Sequence, residues 1–160
     1  MKIAIGSDKS GFLLKEAVKQ YLTEHGYDFD DLGTTDPGQA KGYFLVAPLV
    51  AQKVQAGLYD RAILICGTGA GMSILANKYK GVHAVACESV YSARMERVIN
   101  NAQVLCMGGW IVAPEMGVKM AEAFLTTQWL EGAEEWRKEW LKKASRQVEE
   151  LENEMFGLRE

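Results

Sequence analysis

Cys66 is followed directly by Gly67-Thr68-Gly69-Ala70-Gly71. A thiol at a strand end, just before a helix, meets free backbone N–H groups and the positive end of the helix dipole. Both favour the thiolate, which can act as a base or a nucleophile. Three glycines in five residues let the backbone come close to a ligand, and the helix start turns its N–H groups toward an anion. The same turn also serves as a plain strand-to-helix connection, and a buried cysteine also serves as a small hydrophobe. The second role is the reading for Cys87 and Cys106. Two carboxylates, Asp8 and Glu88, follow other strands and are either ligand-binding groups or solvated loop acids.

Other chemistries fit less well. A dinucleotide fingerprint needs glycine where Met72 stands, although Glu88 follows Gly69 by 19 residues, near where a ribose-binding acid is expected. The Gly-Lys-Ser/Thr of a phosphate-binding P-loop is absent. The three cysteines lack C-x-x-C spacing, so no metal site is expected. His25 and His83 fall at a helix end and a strand start, away from where strand ends gather ligands.

The elements that must position these groups alternate. Apolar runs at Lys2–Ile5, Arg61–Cys66, Val82–Cys87 and Val104–Met107 predict strands, and Tyr27–Leu32 predicts a weaker one whose acids suggest an edge position. Helical spacing predicts helices over 11–25 (capped by Ser10), 45–56, 72–78, from a Ser89 cap to about Asn100, and over 114–126 starting at Pro114. A last helix covers about 133–156, with Trp136, Trp140, Leu141, Ala144, Val148, Leu151 and Met155 along one stripe. Such alternation predicts an α/β fold: one doubly wound, Rossmann-like domain over 1–160, with a five-stranded parallel sheet and helices on both faces. The long C-terminal helix exceeds what one compact domain needs, so its stripe is expected at a subunit interface.

The chain has 160 residues, 48% apolar and 24% charged, with a net charge of −3. This composition is globular and argues against a nucleic-acid binder, which carries a basic stripe. Sixteen glycines against three prolines suit tight turns. Three cysteines cannot form a complete disulfide framework. The start MKIAIGSD is too short for a secretory apolar segment, and no apolar run nears the length of a membrane span. The expected setting is cytoplasmic and reducing.

The stretches MKIAIGSDKSGFLLKEAVKQYL and AILICGTGAGMSILANKYKGVHAVAC resemble the sugar-phosphate isomerase family of type B ribose-5-phosphate isomerase and the galactose-6-phosphate isomerase subunits. They match its opening G-x-D-H-A-G-F and its most specific stretch, I-C-G-T-G-x-G-M-x-x-x-A-N-K. Tyr91-Ser92-Ala93, Asn100-Asn101-Ala102 and Gly108-Gly109 follow in register, and the resemblance covers about residues 1–132.

The resemblance implies aldose–ketose isomerisation through a cis-enediol(ate), with Cys66 as the base and no metal or organic cofactor. It implies that the N–H groups from Gly67 through Gly69 and Ala70 to Gly71 hold the enediolate oxygen. Thr68 would hydrogen-bond the sugar and Asp8 would bind its hydroxyls. Asn100 would reach in from a dimer partner, in a homodimer or a dimer of dimers.

The departures are specific. The family's His after Asp8 is Lys9, and its ring-opening His is Ile99. Its D-Y-P segment reads Gly42-Tyr43-Phe44, keeping Tyr43. Its G-R-H-x-x-R phosphate clamp reads A-E-E-W-R-K, leaving Arg137 and Lys138 as phosphate-binding candidates beside Glu134 and Glu135. Without the ring-opening His, an open-chain sugar such as a tetrulose phosphate is a better substrate than ribose 5-phosphate. Two new acids at the clamp disfavour a dianion by several kcal/mol at an effective dielectric near ~20; Lys9 restores one positive charge. A non-catalytic sugar-phosphate-binding protein on the same fold is the alternative, and a hydrolase or epimerase using the same thiolate is a third reading.

Overall fold

The computed structural model describes residues 1–157. Strands β1 (Lys2–Ser7), β2 (Asp28–Asp31), β3 (Arg61–Cys66), β4 (Ala84–Ala86) and β5 (Val104–Gly108) form one parallel sheet in the order β2-β1-β3-β5-β4. Helices α1 (Phe12–Glu24), α2 (Tyr43–Gln55), α3 (Ala70–Ala76), α4 (Val90–Asn100), α5 (Pro114–Thr126) and α6 (Glu135–Gly157) connect and flank them. The predicted five-stranded α/β architecture is the observed one.

Alternating strand residues divide the core. Ile3, Ile5, Ile63, Ile65, Leu105 and Met107 meet α1, α4 and α5 on one face. Ala4, Ala62, Leu64, Cys66, Val104 and Cys106 meet α2 and α3 on the other. A strand buried on both faces needs no polar alternation, which is why RAILIC is continuously apolar. The acidic β2 lies at an edge.

The chain leaves β1 toward β2, then crosses back to β3 and continues to the other side. The order therefore reverses between β1 and β3, and the crevice beyond their carboxyl ends is where open α/β sheets bind ligands. Asp8 and Cys66 flank that crevice.

Several boundaries shift for local reasons. Ser10 does not cap α1: Gly11 is the cap residue, and its N–H donates to Asp8 Oδ1 over 3.0 Å. Helix α2 begins at Tyr43 rather than Leu45, because the Gly42 carbonyl already accepts from Leu45 and Val46. Helix α3 begins at Ala70 rather than Met72, as Gly69 turns the chain at φ +80°. Strand β4 is shorter than predicted: the His83 N–H goes to the Gln103 side chain and that of Val82 to the Tyr79 carbonyl. Ser89 caps α4 as predicted, with Ser92 completing a capping box, and Pro114 opens α5.

The last helix starts at Glu135, two residues later than 133, and only its Leu141 is buried. Trp136, Trp140, Val148, Leu151 and Met155 are exposed. Among the described residues, no helix is long and apolar enough to cross a membrane.

Candidate active site

Cys66 ends β3 and its side chain is buried. The Gly69 N–H donates to its Sγ over 3.1 Å. That bond requires the chain to double back within three residues, which the left-handed Gly69 permits. A Cβ on Gly69 would also lie 3.0 Å from the Met107 carbonyl carbon. Thr68 is exposed at the tip of the turn, and its Oγ1 accepts from the Ala70 N–H at 3.4 Å.

Three loops are stitched together around the thiol. Asp8 N–H donates to the Ile65 carbonyl (3.2 Å), Gly109 N–H to that of Cys66 (2.7 Å) and Trp110 N–H to that of Gly67 (3.0 Å). The packing is backbone against backbone. A Cβ on Gly11 would fall 2.5 Å from the Ile65 oxygen, and one on Gly109 2.4 Å from the Ser10 oxygen. The crevice therefore tolerates no side chain at either position.

Asp8 offers one carboxylate oxygen to Gly11; the other has no hydrogen bond among the described residues. Lys9 is exposed beside it, in no ion pair among the described residues. The Tyr43 ring packs over Gly71, where a Cβ would lie 2.9 Å from the ring, and Phe44 meets it edge-on. Cys66, Gly67, Thr68, Gly69, Ala70, Gly71 and Tyr43 thus form one cluster, with Asp8 and its neighbour Lys9 on the adjoining β1 loop.

The loop that carries Tyr43 is anchored by a fully buried lysine. Lys15 donates to the Asp31 carboxylate and the Thr34 carbonyl, and Thr34 Oγ1 accepts from the Lys41 N–H at 3.0 Å. Burial opposes the charge on Asp31, yet the hydrogen bonds from Lys15, Lys19 and the Gly33 N–H outweigh it and hold its pKa below the usual carboxylate value.

Trp110 also belongs to this cluster, and the sequence reading missed it. Its indole lies against Gly67, where a Cβ would fall 2.7 Å from the ring, yet it is 74% exposed. The available signal was a Gly-Gly-Trp run directly after a strand.

Asn100, Arg137 and Lys138 are not brought to Cys66 within one protomer. Cys66 pairs with Gly108 and Ala62 with Val104, so the turn after α4 sits at the opposite end of the sheet. Asn100 instead lines a cavity of about 520 Å³ with Asn77, His83, Ile99, Trp140 and Leu141. On the neighbouring start of α6, Lys138 pairs with Glu135 at 2.6 Å, and Trp136 Nε1 donates to Glu134. Arg137 is left without an ion pair among the described residues. Glu88 is exposed just before the Ser89 cap.

The other thiols behave as core. Burial, with the carboxyl of Glu96 beside it, pushes the Cys87 thiol up to about 12, and burial raises Cys106 as well. Burial also lifts Glu96 to about 9. Among the described residues, no three His, Cys, Asp or Glu side chains stand close enough to hold a metal ion. The arrangement thus presents one buried thiol that accepts from the Gly69 N–H at the start of a helix, a setting that suits proton transfer next to a developing oxyanion.

The ribose/galactose isomerase family model matches residues 3–141. A 4-deoxy-4-sulfo-D-erythrose isomerase from Clostridium sp. (strain MSTE9) is 56% identical over 156 residues, 98% of each chain. D-erythrulose-4-phosphate isomerase 2 of Mycolicibacterium smegmatis is 43% identical over 132 residues, covering 81% of this chain and 84% of the relative. Among solved structures, ribose-5-phosphate isomerase B of Clostridium thermocellum superposes with a TM-score of 0.87 at 34% identity, covering 97% of this chain and 99% of the other.

Proposed function

The chain belongs to the ribose/galactose isomerase family, and from that membership we propose that it interconverts an acyclic four-carbon aldose and ketose bearing a terminal anion, with 4-deoxy-4-sulfo-D-erythrose as the aldose. The observation that carries the substrate is the 56% identity, end to end, with an isomerase of that sugar.

Two features of the residues support it. A tetrose whose C4 carries a sulfonate has no C4 hydroxyl to close a furanose ring. No ring must be opened, and Ile99 can stand where the resemblance places a ring-opening His. A sulfonate is also a monoanion. At the start of α6, Glu135 pairs with Lys138, and Arg137 has no ion pair among the described residues, which suits a single negative charge better than two.

In the ketose-to-aldose direction, the Cys66 thiolate takes a proton from C1. The C1–H electron pair becomes the C1=C2 double bond, and the C2 carbonyl becomes an enediolate oxygen. The N–H groups of Gly67 to Gly71 hold that oxygen. The proton of O1 passes to O2, and the Cys66 thiol returns its proton to C2, which leaves an aldehyde at C1 and restores the thiolate. Asp8 binds the hydroxyls, Thr68 hydrogen-bonds the sugar, and Tyr43 and Lys9 border it. Asn100 of the partner subunit steadies the intermediate. The partner subunit's Arg137 and the partner subunit's Lys138 face the anion. The enzyme works as a homodimer or a dimer of dimers, with the α6 stripe at the interface, in the reducing cytoplasm where its cysteines stay free.

The test is solvent-deuterium incorporation followed by NMR. The substrates are 4-deoxy-4-sulfo-D-erythrose, erythrose 4-phosphate and ribose 5-phosphate, with Cys66→Ala beside the wild type. Turnover of the sulfonate that is lost in Cys66→Ala, with the fold intact, is the expected result. Wild-type protein stabilised by the sulfonate with neither ketose formed nor deuterium gained would favour the non-catalytic alternative.

A further inference from the structure

We propose that the Trp110 indole is a wall of the Cys66 site, keeping bulk water from the thiol and from the enediolate formed beside it. The second half of this statement rests on the isomerase reading above; the first half stands on packing alone.

Three observations carry it. The six-membered ring of Trp110 covers Gly67, the residue bonded to Cys66, so closely that a Cβ there would sit 2.7 Å from Cε3 and Cζ3. The loop holding the indole is fixed: Trp110 N–H donates to the Gly67 carbonyl, and Ile111 and Val112 N–H both donate to the Gly108 carbonyl at 3.1 and 2.8 Å. Val112 is buried in the core, so the loop is pinned on both sides of the exposed ring. A large apolar side chain left in solvent on a pinned loop, against the residue next to the candidate base, is placed to cover something small and polar.

Such a wall has a chemical consequence. N–H groups stabilise an enediolate more strongly where water is excluded, because the local dielectric is lower. A shielded thiol also returns its own proton to the product instead of exchanging it with solvent.

The experiment compares wild type, Trp110→Phe and Trp110→Ala. Alkylation of Cys66 by iodoacetamide, located by mass spectrometry, should be about tenfold faster in Trp110→Ala and little changed in Trp110→Phe, since thiol reactivity follows access. Equal rates in all three would overturn the proposal, whatever the substrate proves to be. In deuterium oxide, the label gained per turnover of 4-deoxy-4-sulfo-D-erythrose should rise in Trp110→Ala. A fall in kcat/KM with unchanged label per turnover, or a change in mass of the assembly without faster alkylation, would also overturn it. Failure of the wild type to turn over the sugar sinks the isomerase reading alone, because the alkylation rates still decide the role of the indole.

Discussion

Cys66 and Asn100 of one protomer lie at opposite ends of the same sheet: Cys66 closes β3 beside Gly108, while Asn100 ends α4 four residues before the start of β5. If both serve one reaction, each site takes Cys66 from one subunit and Asn100 from another.

Complementation tests this division. Cys66→Ala and Asn100→Ala should each be inactive alone. A mixed dimer then puts both lesions in one site and leaves the other intact, so co-expressed chains, about half of them in mixed dimers, should recover about a quarter of wild-type turnover. Turnover assays on the co-purified mixture check it, and no recovery would mean that the two residues do not share a site.

Gly69 separates backbone strain from chemistry. A side chain at its positive φ costs roughly 1–2 kcal/mol, and Gly69→Ala would also press on Met107. Gly81 has a similar φ of +76° but open space around it, so Gly81→Ala should cost similar stability and keep full activity. Gly69→Ala keeps its N–H but must shift the turn that aims it at Cys66 Sγ, so it should in addition lower kcat about a hundredfold, the scale of one misplaced oxyanion-hole donor. Thermal unfolding and steady-state kinetics on both variants separate the two effects.

Glu134 lies next to the start of α6 and accepts from the Trp136 indole, a bond that a glutamine oxygen can also accept. Glu134→Gln removes one negative charge near Arg137, which has no ion pair among the described residues. It should improve kcat/KM for erythrose 4-phosphate relative to the sulfonate about two- to fivefold, the scale of an exposed charge interaction. An uncharged tetrose should be unaffected.

Glu96 makes stability depend on pH. Burial raises its folded pKa from 4.5 to about 9, so the folded chain keeps a proton that the unfolded chain releases between those values. Its contribution is fully present below the lower value and is lost as pH rises toward the upper one. Glu96→Gln carries no such proton. Urea unfolding at pH 5, 7 and 9 should show the wild type losing stability relative to the variant across that window; a parallel pH dependence would refute the assignment.

The architecture was legible because four of the five strands are apolar runs closed by glycine or a polar residue, the acidic β2 being the edge, and each helix carries its stripe at the right spacing. Ser89 and Pro114 marked helix starts because their capping chemistry is local. Ser10 failed as a cap since the helix starts one residue later: Gly11 takes the cap position with its N–H tied to the Asp8 carboxylate, and the Phe12 N–H goes to the Lys9 carbonyl. The shortness of β4 depends on Gln103, 20 residues beyond His83, which no local pattern encodes. Within the site, Cys66 and its glycines were readable from spacing. Trp110 was not: its place against Gly67 arises from the β3–β5 pairing, a relation between segments far apart in sequence. Spacing likewise did not decide which of Arg137 and Lys138 pairs with Glu135; the folded helix start gives it Lys138.

The backbone-against-backbone packing of Gly11 and Gly109 divides the molecule by its freedom to change. Where loops touch through Cα and carbonyl atoms alone, almost any mutation collides with main chain, so the proton-transfer end is locked against drift. The end of α4 and the start of α6 are built from side chains that can be exchanged one at a time. A lineage can therefore acquire a new sugar by rewriting Ile99, Glu134 and their neighbours while inheriting the reaction unchanged. New specificities on this scaffold should arise where the end of α4 and the start of α6 meet through side chains, and seldom where loops meet through bare backbone.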